Sequence, residues 1–255
     1  MRRPQQLALW SIAGLVLPLQ TELHVFAQQK SGPATKASVV LVPFVGCKAD
    51  GQLGPVDAPK GSPVNVRLDA KTAKELAYYS GVGLGVLGPR GWNCFGGYGS
   101  SGETLFVSAQ PIEITNVFPD GTTGPAIEVS HRNGGTGSGA FELAEVVARV
   151  FPDFEAFAKN VAEQFGPIPF GPYPNDKLIY RGKREVEYKT PAQTEGLGTR
   201  GWLKTSDSQI EGVAILIGQP LSHLLLLSMR LPPDSRELSS AIIRQIERDS
   251  PKVMH

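Results

Sequence analysis

Residues Gly81 to Gly102 read GVGLGVLGPRGWNCFGGYGSSG, and nine of these 22 residues are glycine. Each glycine raises the conformational entropy that is lost when a segment becomes ordered, so helices and ordinary strands rarely contain so many. The sequence therefore predicts a long loop over this stretch. We expect its aromatic side chains and Cys94 to hold the loop in place, and the rest of the chain to be arranged around it.

The chain contains two cysteines, Cys47 and Cys94, and the second lies inside the glycine-rich stretch. In an oxidising compartment an isolated pair of cysteines is typical of a disulfide. This bond would close a loop of about 47 residues and stabilise the protein by roughly 4 kcal/mol on the chain-entropy model. The alternative is a pair of buried free thiols, because free cysteine is often a core residue.

Residues 1–27 are typical of a signal peptide. Arg2 and Arg3 precede an apolar segment from Leu7 to Leu19, and a small-x-small motif ends at Ala27. An apolar segment of this length is too short to span a bilayer. The sequence therefore predicts an exported protein, periplasmic or secreted, with no stable membrane insertion once the signal peptide is removed.

The charges of the chain are nearly balanced, with 25 Lys and Arg against 24 Asp and Glu. A nucleic-acid-binding protein needs a basic field to engage phosphates, so this balance argues against a nucleic-acid partner. The chain has no H-E-x-x-H or C-x-x-C motif, and we predict no metal site. The G-x-G-x-x-G pattern from Gly83 to Gly88 follows a predicted helix rather than a strand, so we predict no dinucleotide cofactor.

Hydrophobic patterning predicts an α+β fold, a mostly antiparallel sheet with helices packed on its faces (an α/β sandwich). We expect a disordered lead-in over 28–36 and a single domain over 37–255, with the proline-rich segment 166–174 as the candidate internal boundary. The predicted strand segments are 38–46, 63–68, 104–109, 112–118, 126–131, 178–181, 185–189, 213–217 and 224–231.

Four helices are predicted from apolar periodicity and from capping residues. Asp69 caps a helix over 70–79, Ser138 caps the second helix, and Asp153 caps the third. The last helix follows Pro233. The strand over 224–231 is almost continuous leucine, so we expect it to lie at the centre of the sheet with both faces covered.

A short motif occurs twice: Gly88-Pro-Arg-Gly-Trp92 is echoed by Gly198-Thr-Arg-Gly-Trp202. An arginine beside a tryptophan in a glycine-rich loop suits stacking on a sugar ring or a planar ligand. We therefore expect the 81–102 and 190–208 loops to form one binding surface. The alternative is that each tryptophan fills the core beneath its loop while its arginine pairs with an acid such as Glu103 or Glu195. The predicted binding residues are Arg90, Trp92, Asn93, Tyr98, Glu195, Arg200 and Trp202.

These features predict an exported binding or accessory protein whose partner is an envelope glycan or an envelope protein. The alternative function is hydrolysis of an envelope polymer or ester, with His131 as the base. Ser100 or Ser101 would be its nucleophile and Asp120 its orienting acid, although no hydrolase motif surrounds them.

Four segments, VPFVGCKADGQ (42–52), VLGPRGW (86–92), FGPYPNDKL (170–178) and TEGLGT (194–199), carry a family resemblance. At these segments the chain resembles a group of exported bacterial proteins of no assigned function. The resemblance covers most of the chain after the signal peptide. It implies export and a single compact unit, and it assigns no catalytic residue.

Overall fold

Thirteen strands and four α-helices form the part of the chain that the computed structural model describes, residues 38–114, 119–219 and 222–250. These residues belong to one compact unit, Lys36–His255. The helices are α1 (Ala70–Glu75), α2 (Gly137–Val150), α3 (Glu155–Phe165) and α4 (Ser239–Asp249). The strands are β1 (Ser38–Val42), β2 (Phe44–Gly46), β3 (Ala49–Gly51), β4 (Val64–Leu68), β5 (Leu76–Ser80), β6 (Gly85–Pro89), β7 (Asn93–Gly99), β8 (Gly102–Ser108), β9 (Ala126–Asn133), β10 (Lys177–Gly182), β11 (Glu185–Thr190), β12 (Ile210–Ile217) and β13 (His223–Arg230).

Eight of these strands form the largest sheet, in the order β10-β11-β12-β13-β9-β8-β7-β3. Its neighbouring strands are antiparallel except for β3 and β7. β1 and β4 form an antiparallel pair, and β2, β5 and β6 form a third sheet in which β2 and β5 are parallel. The predicted α+β class with mostly antiparallel pairing is therefore confirmed.

The central strands of the large sheet are buried on both faces. Val213 of β12 belongs to a hydrophobic cluster with Ile242 of α4, whereas the next residue, Ala214, belongs to a cluster with Leu143 of α2. Successive side chains of a strand point to opposite faces, so we name these the α4 face and the α2 face. The β2-β5-β6 sheet packs on the α4 face, through Leu76 and Leu87.

The glycine-rich stretch does not form the predicted loop. It contains β6 and β7, joined by a short turn at Arg90, Gly91 and Trp92, in which Gly91 has a φ of +79°. Glycine adopts this backbone conformation without a steric penalty. Gly96 in β7 lies so close to β3 that an added Cβ would be 2.9 Å from the Cβ of Ala49. The prediction was wrong because Gly91 is required by a tight turn between two strands and Gly96 by the close approach of β3, so neither indicates a long loop.

The first predicted helix is correct at its start and wrong at its end. The Asp69 carboxylate accepts hydrogen bonds from the amides of Lys71 and Thr72, both at 3.0 Å, and caps α1. The helix ends at Glu75, because the following residues, Leu76–Ser80, pair with β6 as a strand.

Several other predicted boundaries also differ. Thr136, not Ser138, caps α2 by accepting a hydrogen bond from the Gly139 amide. Asp153 lies in a 3-10 turn and does not cap α3 with its side chain. Residues 112–114 form no strand, and the rest of the predicted strand over 112–118 lies outside the described residues.

The Cys47–Cys94 disulfide is present, with 5.4 Å between the two Cα atoms. It connects the end of β2 to the beginning of β7, and so links the three-stranded sheet to the large sheet. The predicted signal peptide, 1–27, and lead-in, 28–36, lie outside the described residues. Within the described ranges, no helix combines the length and apolarity that membrane crossing requires.

Candidate functional site

The first Arg-Gly-Trp copy is built into the fold. The Arg90 guanidinium donates hydrogen bonds of 2.9 Å to the carbonyls of Ala73 and Leu76, at the end of α1. The amide of Trp92 donates to the Tyr79 hydroxyl at 3.0 Å, and the indole packs against the hydrophobic cluster of the α4 face. The carbonyls at a helix end need such donors, so Arg90 acts as a C-terminal cap.

The second copy repeats this arrangement with different partners. Arg200 donates to the carboxylate of Glu145, on α2, at 2.7 Å. The Trp202 amide donates to the Glu128 carboxylate at 2.7 Å, and the indole meets the ring of Phe106 edge-on at 5.1 Å between centroids. In both copies the arginine is fixed to a neighbouring helix or helix end, and a side-chain oxygen accepts the tryptophan amide.

The structure does not bring the two copies into one surface. Trp92 packs on the α4 face, whereas Trp202 lies in a cluster with Phe95 and Phe106, which point to the α2 face. Trp202 is only 7 % exposed, so its ring fills the core rather than presenting a free stacking face. The other predicted binding residues lie elsewhere. Asn93 and Glu195 are exposed, and the Tyr98 hydroxyl donates to the Gly54 carbonyl at 2.5 Å.

His131 lies in a row of titratable side chains on the α4 face. Its Nε2 is 3.0 Å from Nδ1 of His223, and its Nδ1 is 3.6 Å from a carboxylate oxygen of Glu103. Glu103 and His131 are direct partners across β8 and β9. Burial, followed by the neighbouring His131, lowers the pKa of His223.

The residues predicted to act with His131 have contacts with other parts of the chain. The Ser100 hydroxyl lies 3.3 Å from the hydroxyl of Ser138, and the carbonyl of Ser101 accepts from the Asn133 amide. The carbonyl of Asp120 accepts a hydrogen bond from the Trp202 indole, on the α2 face. The fold therefore does not bring together the serine, histidine and aspartate of the predicted hydrolase.

A groove of about 350 Å³ opens beside Trp202 on the α2 face. We name it the Trp202 groove. A smaller pocket of about 80 Å³ continues from it towards Ser130 and Arg200. The main part of the groove is lined by Gly99, Thr104, Glu128, Arg132, Glu142 and Lys204, among others.

A buried acid forms the floor of the Trp202 groove. Glu128 is 7 % exposed, and burial raises the pKa of its carboxyl group, against the opposing effect of the Trp202 amide and of Arg132. Gly201 passes directly over this carboxyl group, where a Cβ would collide with it. The carboxyl group is therefore held in one orientation by the backbone of the second Arg-Gly-Trp copy.

A charged pair forms the adjacent wall. Arg132 makes an ion pair with Glu142 and donates to the Thr104 hydroxyl at 3.1 Å. Glu142 is partly exposed, and Lys204 donates to the carbonyl of Gly201 at the rim. The groove thus combines fixed acceptors, fixed cations and an aromatic edge, a set that suits a ligand rich in hydroxyl groups.

No protein-family model, curated protein or solved structure matches this chain. No group of three or more His, Cys, Asp or Glu within the described ranges could hold a metal ion. The arguments on function therefore depend on the geometry of this chain alone.

Sequence reasoning missed most of the groove. In β9, Glu128, Ser130 and Arg132 occupy alternate positions, as expected for one face of a strand. Such a pattern usually indicates a solvated face, and only the position of α2 and of the Trp202 segment shows that this face is partly covered. The detectable signal was the second Arg-Gly-Trp copy, since its backbone lies directly over Glu128.

Proposed function

We propose that this protein is an exported binding protein that holds a hydroxyl-rich ligand, such as a fragment of an envelope glycan, in the Trp202 groove. The observation that carries this proposal is the combination of the buried Glu128 carboxyl group, the Arg132–Glu142 ion pair and the edge of Trp202 around one groove. Sugars present both hydroxyl groups and apolar ring faces, and sites that bind them need both kinds of partner.

The disulfide supports export, because such bonds persist in oxidising compartments. We take the large sheet, with its covered α2 and α4 faces, as the predicted sandwich and as a rigid support for the groove. Binding has more support than hydrolysis, since His131 contacts His223 and Glu103 instead of a serine.

The groove can be narrowed without touching its polar groups. Gly99 lines the groove, and the atoms nearest to an added Cβ there belong to the Gln52 side chain, at an ordinary distance of 3.7 Å. The Gly99→Val variant should therefore fold normally and lose binding. Gly182→Val is the matched control, because a Cβ at Gly182 has no neighbour within 4 Å and lies outside the groove.

The assay is isothermal titration with soluble peptidoglycan fragments and with chitotriose, on wild type and both variants. We expect wild type and Gly182→Val to bind at least one of these glycans, and Gly99→Val to bind at least tenfold more weakly. Circular dichroism and thermal unfolding check that the variants keep the fold. Equal binding by Gly99→Val, or no binding of either glycan by wild type, would contradict the proposal.

A further inference from the structure

A second and larger cavity, of about 640 Å³, lies on the α4 face. We name it the Tyr78 cavity. Its apolar lining includes Val129 and Leu225 of the large sheet, Val64 of β4 and Ile246 of α4. This volume is within the range of cavities that hold small molecules. It lies on the opposite side of the sheet from the Trp202 groove.

A buried glutamine fixes the position of α4 beside this cavity. Gln245 accepts a hydrogen bond of 2.9 Å from the Leu87 amide and donates to the carbonyl of Gly85 at 3.4 Å. Its amide also donates to the Asp249 carboxylate at 2.8 Å. Gln245 thus bonds the edge of β6 as a neighbouring strand would, and it holds the last turn of α4 at the border of the cavity.

Two arginines border the Tyr78 cavity without a carboxylate partner. Arg67 projects from β4 and Arg248 from α4, both are exposed, and neither makes an ion pair or hydrogen bond with another residue in the described ranges. Asp249 also lines the cavity and accepts from Gln245, so the charged lining consists of two cations and one acid. The rim of an apolar cavity therefore carries cationic groups that are available to an anion.

The cavity also contains a neutral hydroxyl group. Tyr78 lines it, and no hydrogen bond joins its hydroxyl group to the part of the chain that the structure describes. Burial, followed by the charge of Asp249, raises the pKa of Tyr78 to about 12. The phenol therefore stays protonated at neutral pH and is available as a donor.

We propose that the Tyr78 cavity binds a small organic acid with an apolar body, such as a medium-chain fatty acid. The carboxylate lies at Arg67 and Arg248, and the apolar body covers Val129 and Leu225. An ammonium compound of the same size would be repelled at the rim, and an uncharged one would leave the arginines without a partner. This site is separate from the proposed glycan groove, and neither proposal depends on the other.

The test is isothermal titration of the protein with decanoate, decanol and decyltrimethylammonium. We expect decanoate to bind most tightly and the ammonium compound least. The double variant Arg67→Gln/Arg248→Gln should bind decanoate about tenfold more weakly and decanol unchanged, because each exposed ion pair contributes a factor of about three. The control is Lys60→Gln/Lys177→Gln, which removes the same charge at two exposed positions outside the cavity and should bind decanoate as wild type does.

Two further measurements test where decanoate binds and whether the protein binds a membrane surface instead. Gly99→Val, which blocks the Trp202 groove, should leave decanoate binding intact, and sedimentation with phosphatidylglycerol vesicles should retain no protein. The proposal is overturned if decanoate gives no binding, if the arginine variant binds it as wild type does, or if decyltrimethylammonium binds equally well. Binding to vesicles without binding to free decanoate would also overturn it, in favour of a membrane surface.

Discussion

Replacing both disulfide cysteines, as Cys47→Ala/Cys94→Ala, should lower the free energy of unfolding by about 4 kcal/mol. The two residues are 47 apart in sequence, and this value is the loop-closure entropy that the cross-link removes from the unfolded chain. Backbone contacts hold both cysteines in place in the folded protein even without the disulfide. The Cys47 amide donates to the Ser80 carbonyl, and Cys94 pairs with Val107 across β7 and β8. The loss therefore acts mainly through the unfolded state. For a domain of this size it corresponds to a fall in Tm of roughly 8–16 °C.

Equilibrium unfolding in guanidinium chloride, followed by circular dichroism, measures this loss. Three samples are compared: oxidised wild type, wild type reduced with a phosphine, and the double variant. Agreement between the reduced protein and the variant would show that the cross-link, rather than the lost sulfur atoms, accounts for the change. The free energy of unfolding should also fall more steeply with denaturant concentration, because the unfolded chain exposes more surface without the disulfide. A double variant within about 1 kcal/mol of the oxidised protein would refute the reasoning.

Two other substitutions give distinct outcomes. Burial raises the pKa of the Glu128 carboxyl group in the folded protein. The contribution of this group to stability is therefore present below the unfolded-state pKa, near 4.5, and is lost as the pH rises through the folded-state pKa. Wild type should therefore lose stability relative to Glu128→Gln as the pH rises above about 4.5, and a difference that thermal unfolding finds independent of pH would contradict this. Arg90→Ala removes two hydrogen bonds from the end of α1 and should cost about 1–2 kcal/mol in chemical denaturation. It should leave glycan binding unchanged in calorimetry, whereas lost binding with unchanged stability would support the single surface predicted from the two Arg-Gly-Trp copies.

Features of short stretches of sequence were sufficient to predict several parts of the fold. Two cysteines in a chain with export features predicted the disulfide, and the leucine-rich segment predicted β13 as a strand buried on both faces. Asp69 predicted the start of α1, because a carboxylate at that position satisfies free amides of the first turn. These features depend on residues close together in sequence or on composition.

The errors came from contacts between distant segments. Gly96 was assigned to a loop because the entropic cost of glycine was considered without the strand, β3, that packs against it. Leu76 to Tyr79 were assigned to α1, although they pair with β6, because their apolar pattern fits a helix and a strand about equally well. No local pattern distinguishes these outcomes.

The candidate site was only partly predictable for the same reason. The repeated motif identified Arg200 and Trp202, but the separation of the two copies depends on the order of strands in the sheet, which sequence alone did not supply. Glu128 was classed with acids on exposed strand faces. Its burial requires both α2 and the segment containing Gly201 to cover the same part of β9.

The first three strands of the described residues each belong to a different one of the three sheets. Residues 38–51 contain β1, β2 and β3, which pair with β4, β5 and β7 respectively, and every one of these partners comes later in the chain. Residues 38–51 therefore cannot complete their strand pairing until the chain as far as Gly99 is available. A chain that begins after Gly51 would lose one edge from each sheet at once. Shortening at this end should thus weaken the whole molecule rather than one hairpin.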